Sequence, residues 1–355
     1  MKKKDLLVIL DSFKYIQKEK ELKKSLSDIC NPVFYYTDYE NRVIKFFLGK
    51  PFIGNIITHL LYWFISFNAA WKLFFFRKTI KTKIFINPIV AIFYCFLSSI
   101  FSKRKECIVI GGFLFEDKKN KLYFKLRKKF VVLSYKNIYK IVVYSENEKM
   151  LYSEYFPSLA EKFVFIKYGR DFDILEEKKF NYNFPYIASG GASNRDYPTL
   201  IHALDLLEKK HPQLNCLIAT RPKAYDSDKK TPNATILYDI ELEMFGSFLK
   251  ESMFVILPLK NTLVSAGHMS LLEAMSLGKI IIIADIPSIR NYVDEELVYF
   301  YKPNDPIDLA KKIEYLYINK DRDLVIQRSL NSKKIYEENY SFVAFLNRMI
   351  RDVVI

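Results

Sequence analysis

A run of small residues that leads into a helix is the part of the sequence best suited to chemistry. It consists of Ser265, Ala266, Gly267, His268, Met269 and Ser270, and the pattern that follows predicts a helix over 270–276. Small residues at a helix N-terminus leave backbone N–H groups free to bind a diphosphate. Within that helix, Glu273 is a lone carboxylate among apolar residues, so its burial requires hydrogen-bond donors. Ribose hydroxyls would serve, and so would a nearby backbone amide.

Two further loops carry residues that could bind phosphate, and each follows a predicted strand. Gly190 and Gly191 let a backbone approach a phosphate, and Arg195 could pair with it. Arg221 comes directly after the predicted strand over 214–219. The alternatives are a tight turn at the glycines and ordinary surface ion pairs for the arginines. Ligands of open parallel sheets bind at the carboxyl ends of strands, which is where these loops are expected to lie.

The elements that must position these loops are short apolar runs that alternate with helical patterns along the chain. This alternation predicts an α/β fold with parallel sheets, and its two series predict two Rossmann-like domains. A polar segment over 170–183 is typical of a linker. We therefore expect domains over 1–175 and 176–335, and a C-terminal helix over 336–355 that packs back on the first domain.

The formal net charge of +15 belongs entirely to the first half of the 355 residues. Residues 1–180 hold 34 Lys and Arg against 18 Asp and Glu, whereas residues 181–355 hold 21 against 22. The span 41–105 has eleven basic residues and no acidic one. Such a surface suits nucleic acid or an anionic membrane. No nucleic-acid recognition motif accompanies it, so we expect no nucleic acid and favour the membrane.

Two uncharged stretches, Pro51–Trp71 and Ile84–Ser102, strengthen that expectation. Both reach the ~20 residues of a spanning helix, but polar residues such as Asn55 and Asn87 would need partners there. Helices that pack or lie at an interface fit better; buried core helices and a membrane hairpin are the alternatives. Basic clusters flank the stretches, at Arg77, Lys78, Lys81 and Lys83 and at Lys103, Arg104 and Lys105. Residues 41–105 are therefore expected to contact an anionic membrane.

The N-terminus and the cysteines indicate a reducing, cytoplasmic setting. The apolar run Leu6–Leu10 is too short for a signal peptide. The four cysteines lie far apart and form no CxxC pair, which gives no sign of a zinc site or a disulfide framework. We expect no metal and no cofactor.

The donor segment SAGHMSLLEAMSLGKIIIIADIPSIRNYVDE resembles the donor-binding signature of GT-B glycosyltransferases, especially family 4, the group 1 transferases. GGASNRDYPTLIHAL is similar to the Gly-rich loop and helix of that family, and VVYSENEKMLYSEYF and FIKYGRDFD are similar to the end of its first domain. The resemblance covers about Ile138–Asp294. It implies two Rossmann-like domains that face a central cleft. It also implies that Glu273 binds the nucleotide ribose and that Ser265–Met269 hold the phosphates and the sugar.

The sequence departs from the family pattern at two places. Retaining members usually carry a second Glu eight residues before the ribose Glu, and that position is Ser265 here. The usual Lys after the Gly-rich loop is not evident, so Arg195 or Arg221 would take its place. An inverting route would need a base in the first domain. Asp11 and Glu116 follow predicted strands and are the candidates, although either could be an ordinary surface carboxylate. His268 could contact the sugar or phosphate, or be a satisfied loop histidine.

The resemblance implies a metal-independent, hexosyltransferase-type glycosyltransferase that uses a nucleotide sugar. Together with the basic first domain, it predicts transfer to a lipid-linked glycan at the inner face of the cell membrane, in surface polysaccharide synthesis. The first domain would bind the acceptor and the second the donor. A non-catalytic GT-B module for binding or scaffolding and a GT-B-fold epimerase are the alternatives.

Overall fold

The computed structural model of the chain describes residues 3–10, 13–37, 53–76, 79–102, 106–113, 115, 121–172, 178–222, 224–225 and 232–354. The chain divides into two compact units, the first of Met1–Ile166 with Leu346–Ile355 and the second of Lys167–Phe345. Each unit contains a six-stranded sheet whose strands are all parallel, with helices between them. The predicted α/β class with two Rossmann-like domains is confirmed.

The sheet of the first unit has the strand order β2-β1-β3-β4-β5-β6. Its strands are β1 (Asp5–Leu10), β2 (Asn31–Tyr36), β3 (Thr82–Phe85), β4 (Cys107–Ile110), β5 (Lys140–Val143) and β6 (Phe163–Phe165). The helices between them are α1 (Glu19–Leu26), α2 (Ile53–Phe76), α3 (Pro88–Phe101), α4 (Lys121–Tyr135) and α5 (Glu146–Tyr155), with 3₁₀ turns over Phe13–Ile16 and Pro157–Lys162.

Burial on both faces explains why the central strands of this sheet are almost purely apolar. Leu7 of β1 lies between Val33 of β2 and Lys83 of β3. Leu7 and Ile9 point into one core, which buried residues of α2, α3, α4 and α5 complete. Right-handed crossovers place those four helices on one face of the sheet and α1 on the other.

The second unit repeats the architecture with the strand order β12-β11-β10-β7-β8-β9. Its strands are β7 (Ile187–Gly190), β8 (Cys216–Thr220), β9 (Ala234–Tyr238), β10 (Val255–Leu257), β11 (Ile281–Ala284) and β12 (Tyr299–Tyr301). The helices are α6 (Tyr197–Leu207), α7 (Leu242–Lys250), α8 (His268–Ser276), α9 (Pro287–Arg290), α10 (Pro306–Asn319) and α11 (Asp323–Asn339). Helix α12 (Phe342–Met349) and a π-helical turn (Ile350–Val354) end the chain.

The second uncharged stretch, Ile84–Ser102, is not one helix, because its first residues belong to β3. The Asn87 side chain accepts hydrogen bonds from the N–H groups of Ile89 and Val90 and so caps α3 at Pro88. The first stretch is helical but runs on to Phe76. Among the helices of the described residues, none combines the length and apolar character needed to cross a membrane.

Lys83, which the sequence places in a basic flanking cluster, is instead fully buried. Its Nζ lies 2.9 Å from Glu106 Oε1 and donates to the Ile80 carbonyl at 2.5 Å. The other carboxylate oxygen of Glu106 accepts from the Tyr94 hydroxyl at 2.8 Å. Lys83 lies on a central strand with apolar neighbours, so its charge needs this partner and does not contribute to a surface.

We expect removal of one partner of this buried pair to destabilise the first unit strongly. Lys83→Ala leaves the Glu106 carboxylate without its counter-charge, which costs on the order of 3–5 kcal/mol of unfolding free energy. Chemical denaturation measures the loss, and Lys81→Ala, at an exposed position two residues away, is the control with little effect. The double variant Lys83→Met, Glu106→Leu should regain most of the stability. Equal stability of Lys83→Ala and Lys81→Ala would contradict the assignment.

Candidate functional site

The loop before α8 has a backbone shape that only glycine adopts without strain. Gly267 is the N-cap of α8 and has φ +80°. A Cβ at this position would lie 2.7 Å from a methyl carbon of the Leu259 side chain. The helix starts immediately after it, because the N–H of Leu271 donates to the Gly267 carbonyl at 2.9 Å. The amides of the first turn have no acceptor within the helix itself, so this end of α8 can bind an anion.

Glu273 lies in the second turn of α8, next to the glycine of a neighbouring helix. A Cβ at Gly246 of α7 would lie 3.6 Å from Glu273 Oε1, an ordinary van der Waals distance, so α7 packs close to the carboxylate. Burial raises the pKa of Glu273 to about 7, and the nearby Arg170 guanidinium opposes that rise. A carboxyl that titrates near neutrality is typical of functional sites, although structural groups can show it too.

The Gly-rich loop after β7 is closed by a buried arginine. The Arg195 side chain donates through Nε to the Gly190 carbonyl at 2.9 Å and through Nη1 to the Ser193 carbonyl at 2.9 Å. Its Nη2 donates to Ser270 Oγ, in the first turn of α8, at 3.0 Å. Each nitrogen of the guanidinium therefore has a protein acceptor. Arg195 ties the Gly-rich loop to the start of α8.

The same loop needs its glycines for close packing. Gly191 has φ +114°, and a Cβ there would meet the Arg195 guanidinium at 2.4 Å. The Gly191 carbonyl accepts hydrogen bonds from the hydroxyls of Tyr197 and Thr220. On the neighbouring Gly190, a Cβ would collide with the Phe245 ring at 2.6 Å. The loop is thus held by strand, helix and side chain together.

His268 is buried and uncharged at neutral pH. Its Nε2 lies 3.1 Å from the Ser288 carbonyl, which fixes that nitrogen as the donor, and its ring centroid is 4.3 Å from that of Tyr292. Burial lowers the pKa of His268 to about 4. The imidazole therefore joins the start of α8 to α9 and brings no positive charge to the loop.

The remaining site residues predicted from the sequence differ in position. Ser265 and Ala266 precede Gly267 in the α8 loop, and Met269 is exposed in the first turn of the helix. Arg221 is exposed at the end of β8. The candidate bases Asp11 and Glu116 lie outside the described residues. Within the part of the chain that the structure describes, no cluster of three or more His, Cys, Asp or Glu side chains could hold a metal ion.

Sequence reasoning missed three residues that shape this site, namely Arg170, Phe245 and Leu259. Arg170 Nη1 lies 4.0 Å from Met269 Sδ, and its charge acts on Glu273. Arg170 stands at the start of the polar segment that is typical of a linker. Phe245 and Leu259 fill the space next to Gly190 and Gly267, and no local sequence pattern predicts such a role. The resemblance of FIKYGRDFD to the end of the family's first domain was the available signal for Arg170.

We expect Gly267→Ala to lower the stability of the second unit by about 2 kcal/mol or more. The substitution forces an L-residue into a left-handed conformation and pushes its Cβ into Leu259. Gly246→Ala is the matched control, because that glycine lies inside α7 and its Cβ would make ordinary contacts. Alanine in a helix interior gains up to about 1 kcal/mol over glycine. Thermal and chemical unfolding should therefore move in opposite directions for the two variants.

The raised pKa of Glu273 predicts a pH-dependent stability difference from Glu273→Gln. A carboxyl whose pKa rises from about 4.5 to about 7 on folding holds its proton better in the folded state. Its contribution to stability is present below pH 4.5 and is lost as the pH rises to about 7. The wild type should therefore lose on the order of 1–3 kcal/mol relative to Glu273→Gln between pH 4.5 and pH 8. Parallel stability curves for the two proteins would show that the carboxyl titrates normally.

Comparisons with known proteins concern the family and the fold of this chain. Residues 176–332 match the family model of glycosyl transferases group 1. No curated protein sequence matches the chain. Among solved structures, the chain is similar to a glycosyltransferase from Rickettsia africae, with a TM-score of 0.59 and 14% identity over 99% of this chain and 98% of the other.

Two further solved structures cover 98% of this chain and 98% of their own, each with a TM-score of 0.60 and 12% identity. They are a sucrose-phosphate synthase from Thermosynechococcus elongatus and the Anabaena protein Alr3699/HepE in complex with UDP and glucose. At such identities the likeness concerns the fold, which is the GT-B fold. Over residues 176–332 the chain resembles the group 1 glycosyltransferases, and glycosyltransferase activity is the function that this match supports.

Proposed function

We propose that this protein transfers a hexosyl group from a nucleotide sugar to a lipid-linked glycan at the inner face of a membrane, in surface polysaccharide synthesis. The observation that carries the donor half of the proposal is the start of α8. There, Gly267 opens the helix, its first-turn amides are available to an anion, and Glu273 lies one turn further on. A nucleoside diphosphate carries both a diphosphate for these amides and vicinal ribose hydroxyls for the carboxylate.

The chemistry that this site can perform is stabilisation of a departing nucleoside diphosphate. Negative charge develops on the leaving phosphate, and fixed amide donors at a helix N-terminus stabilise it without reorganisation. The His268 imidazole is neutral and the Arg195 nitrogens are engaged within the loop, so neither is the main counter-charge. We assign that role to the amides of α8, assisted by Arg170 at its first turn and by Arg221 at the end of β8. No metal takes part in the proposed step.

Glu273 would bind the ribose in its ionised form. A carboxylate accepts hydrogen bonds from two vicinal hydroxyls, and these replace the water that burial removes. Bound nucleotide should therefore lower the pKa of Glu273 from its value of about 7. Glu273→Gln would keep the shape of the side chain but lose its charge.

The acceptor half of the proposal rests on the first unit. The outward side of α2 exposes Leu60, Trp63, Phe64, Phe67, Trp71 and Phe75, whose side chains are 40–69% exposed. Aromatic side chains of this kind, within a span that holds no acidic residue, suit the head-group region of an anionic membrane. An acceptor anchored in that membrane would lie beside the enzyme. The catalytic base remains a prediction, with Asp11 and Glu116 as candidates.

We expect UDP and UDP-sugars to raise the melting temperature of the protein, and Glu273→Ala to reduce that shift. Loss of the ribose contact should weaken UDP binding about tenfold or more, since a charged hydrogen bond contributes roughly 1.5–3 kcal/mol. Ser265→Asp should weaken it further by placing a carboxylate where the diphosphate binds. UDP is the first nucleotide to test because the Anabaena relative is described in complex with it; the other nucleoside diphosphates complete the screen.

The exposed residue Glu296, in the same unit, provides the matched control. Glu296→Ala removes the same charge outside the α8 loop and should leave nucleotide affinity unchanged. If Glu273→Ala and Ser265→Asp also leave nucleotide affinity unchanged, the donor-site assignment is wrong. With a donor identified, sugar transfer is assayed on lipid-linked acceptors, and release of free sugar without acceptor separates a transferase from a binding module.

A further inference from the structure

Helices α2, α3 and α4 form a single layer on one face of the first sheet. Buried residues of all three, among them Leu73, Val90 and Val131, belong to one core with Leu7 and Ile9 of β1. Their opposite sides therefore point outward together. We call this outward side of α2, α3 and α4 the helical face.

Ring contacts make the helical face continuous from one helix to the next. Trp63 and Phe67 of α2 meet Phe93 of α3, with centroids 5.6 and 5.5 Å apart. Phe96 of α3 meets Phe130 of α4 at 5.4 Å. These rings bridge the grooves between the helices. The apolar surface of α2 thus extends across α3 to α4.

Helix α4 presents an apolar stripe outward, although it follows a basic sequence. Leu122, Leu126 and Leu133 are 45–67% exposed and occupy positions i, i+4 and i+11, on one side of the helix. Lys125 and Lys129 are exposed beside them. These leucines do not contribute to the core, so polar residues in their place would not weaken it. An exposed apolar stripe of this kind indicates contact with an apolar partner.

The charge of the helical face also lies on α4. In the span 41–105 the described basic residues are Lys72, Lys81 and Lys83, and Lys83 is buried in its ion pair with Glu106. Helix α4 alone has five Lys and Arg among 15 residues. No acidic residue occurs from Lys118 to Ser145, or in α2 or α3. A partner that matches the helical face must therefore carry both negative charge and apolar groups.

We propose that α4 is the cationic docking helix of this protein, which binds the head groups of an anionic bilayer while its leucines and the aromatic side chains of α2 enter the interface. The inference rests on the proposed function for its membrane, and it places an electrostatic contact outside the span 41–105. A second copy of the chain is the poorer occupant. A symmetric contact would oppose the cations of α4 with like charges and supply no acid.

Flotation of the full-length protein with phosphatidylcholine vesicles, with and without phosphatidylglycerol, tests the proposal at low and high salt. Lys125→Gln with Lys129→Gln should weaken binding to phosphatidylglycerol vesicles about 25-fold at low salt, at roughly fivefold for each lysine. The same variant should show a weaker dependence on salt. Leu122→Ser with Leu126→Ser should weaken binding at both salt concentrations, because it removes apolar contact.

The matched control is Lys20→Gln with Lys24→Gln, which removes the same charge from exposed positions on α1, on the opposite face of the sheet. This control should bind vesicles like the wild type. Melting curves and UDP binding of every variant should stay unchanged, which shows that the fold and the donor site are intact.

Three results would overturn the proposal. They are equal binding by the α4 lysine variant and the wild type, an equal loss in the α1 control, and a dimer in solution that the α4 leucine variant dissociates. If Trp63→Ser with Phe64→Ser abolishes flotation while the α4 variants bind normally, α4 is excluded but membrane docking stands. If the wild type does not float at all, the membrane part of the proposed function fails with it, whereas donor binding is judged separately by the UDP titration.

Discussion

The hydrogen bonds of the Arg195 guanidinium are the constraint on which the geometry of the second unit's loops depends. A buried arginine must satisfy its charge within the protein, and it does so through carbonyls of the Gly-rich loop and a hydroxyl on α8. The two loops are thereby fixed to each other. This arrangement requires glycine at two positions. A side chain at Gly190 would displace Phe245, and one at Gly191 would displace Arg195.

That constraint decides which groups remain available to a ligand. Arg195 could have paired with a phosphate, but its guanidinium makes hydrogen bonds within the Gly-rich loop and to α8. His268, at the start of α8, is buried and neutral. The start of α8 still offers its backbone amides, whose direction follows from the positive φ of Gly267. It also offers the Glu273 carboxyl, whose pKa burial raises to about 7. Under the proposed function, such a site would recognise an anion by oriented amides more than by buried charge. The energetic cost of preparing it is modest, since amides cost less to bury than unpaired ions.

The first unit has the same sheet architecture but exposes an aromatic surface on one of its helices. Helix α2 contributes small and medium residues such as Ala69 and Ala70 to the core, whereas its large aromatic side chains are exposed. Basic residues there are not interchangeable. Lys83 supports a buried ion pair within the sheet, whereas the lysines of α4 stand among exposed leucines. Net charge alone does not separate these two roles, and only the packing around each residue does.

The alternation of strands and helices can be read from the amino-acid sequence, because burial on both faces leaves an apolar signature in each central strand. Strand Cys107–Ile110 shows this signature, because all four of its residues are apolar. Helix α4 escaped prediction because its apolar residues lie on both its inner and outer sides and form no single stripe. The segment from Ser265 to Glu273 was equally legible in the sequence, through its small residues and lone carboxylate. Tertiary structure alone decided that Arg195 holds a loop, that Lys83 is buried and that Arg170 lies near Glu273, because these outcomes depend on partners distant in sequence. A residue's type states what it can bind, and packing decides whether it is free to do so.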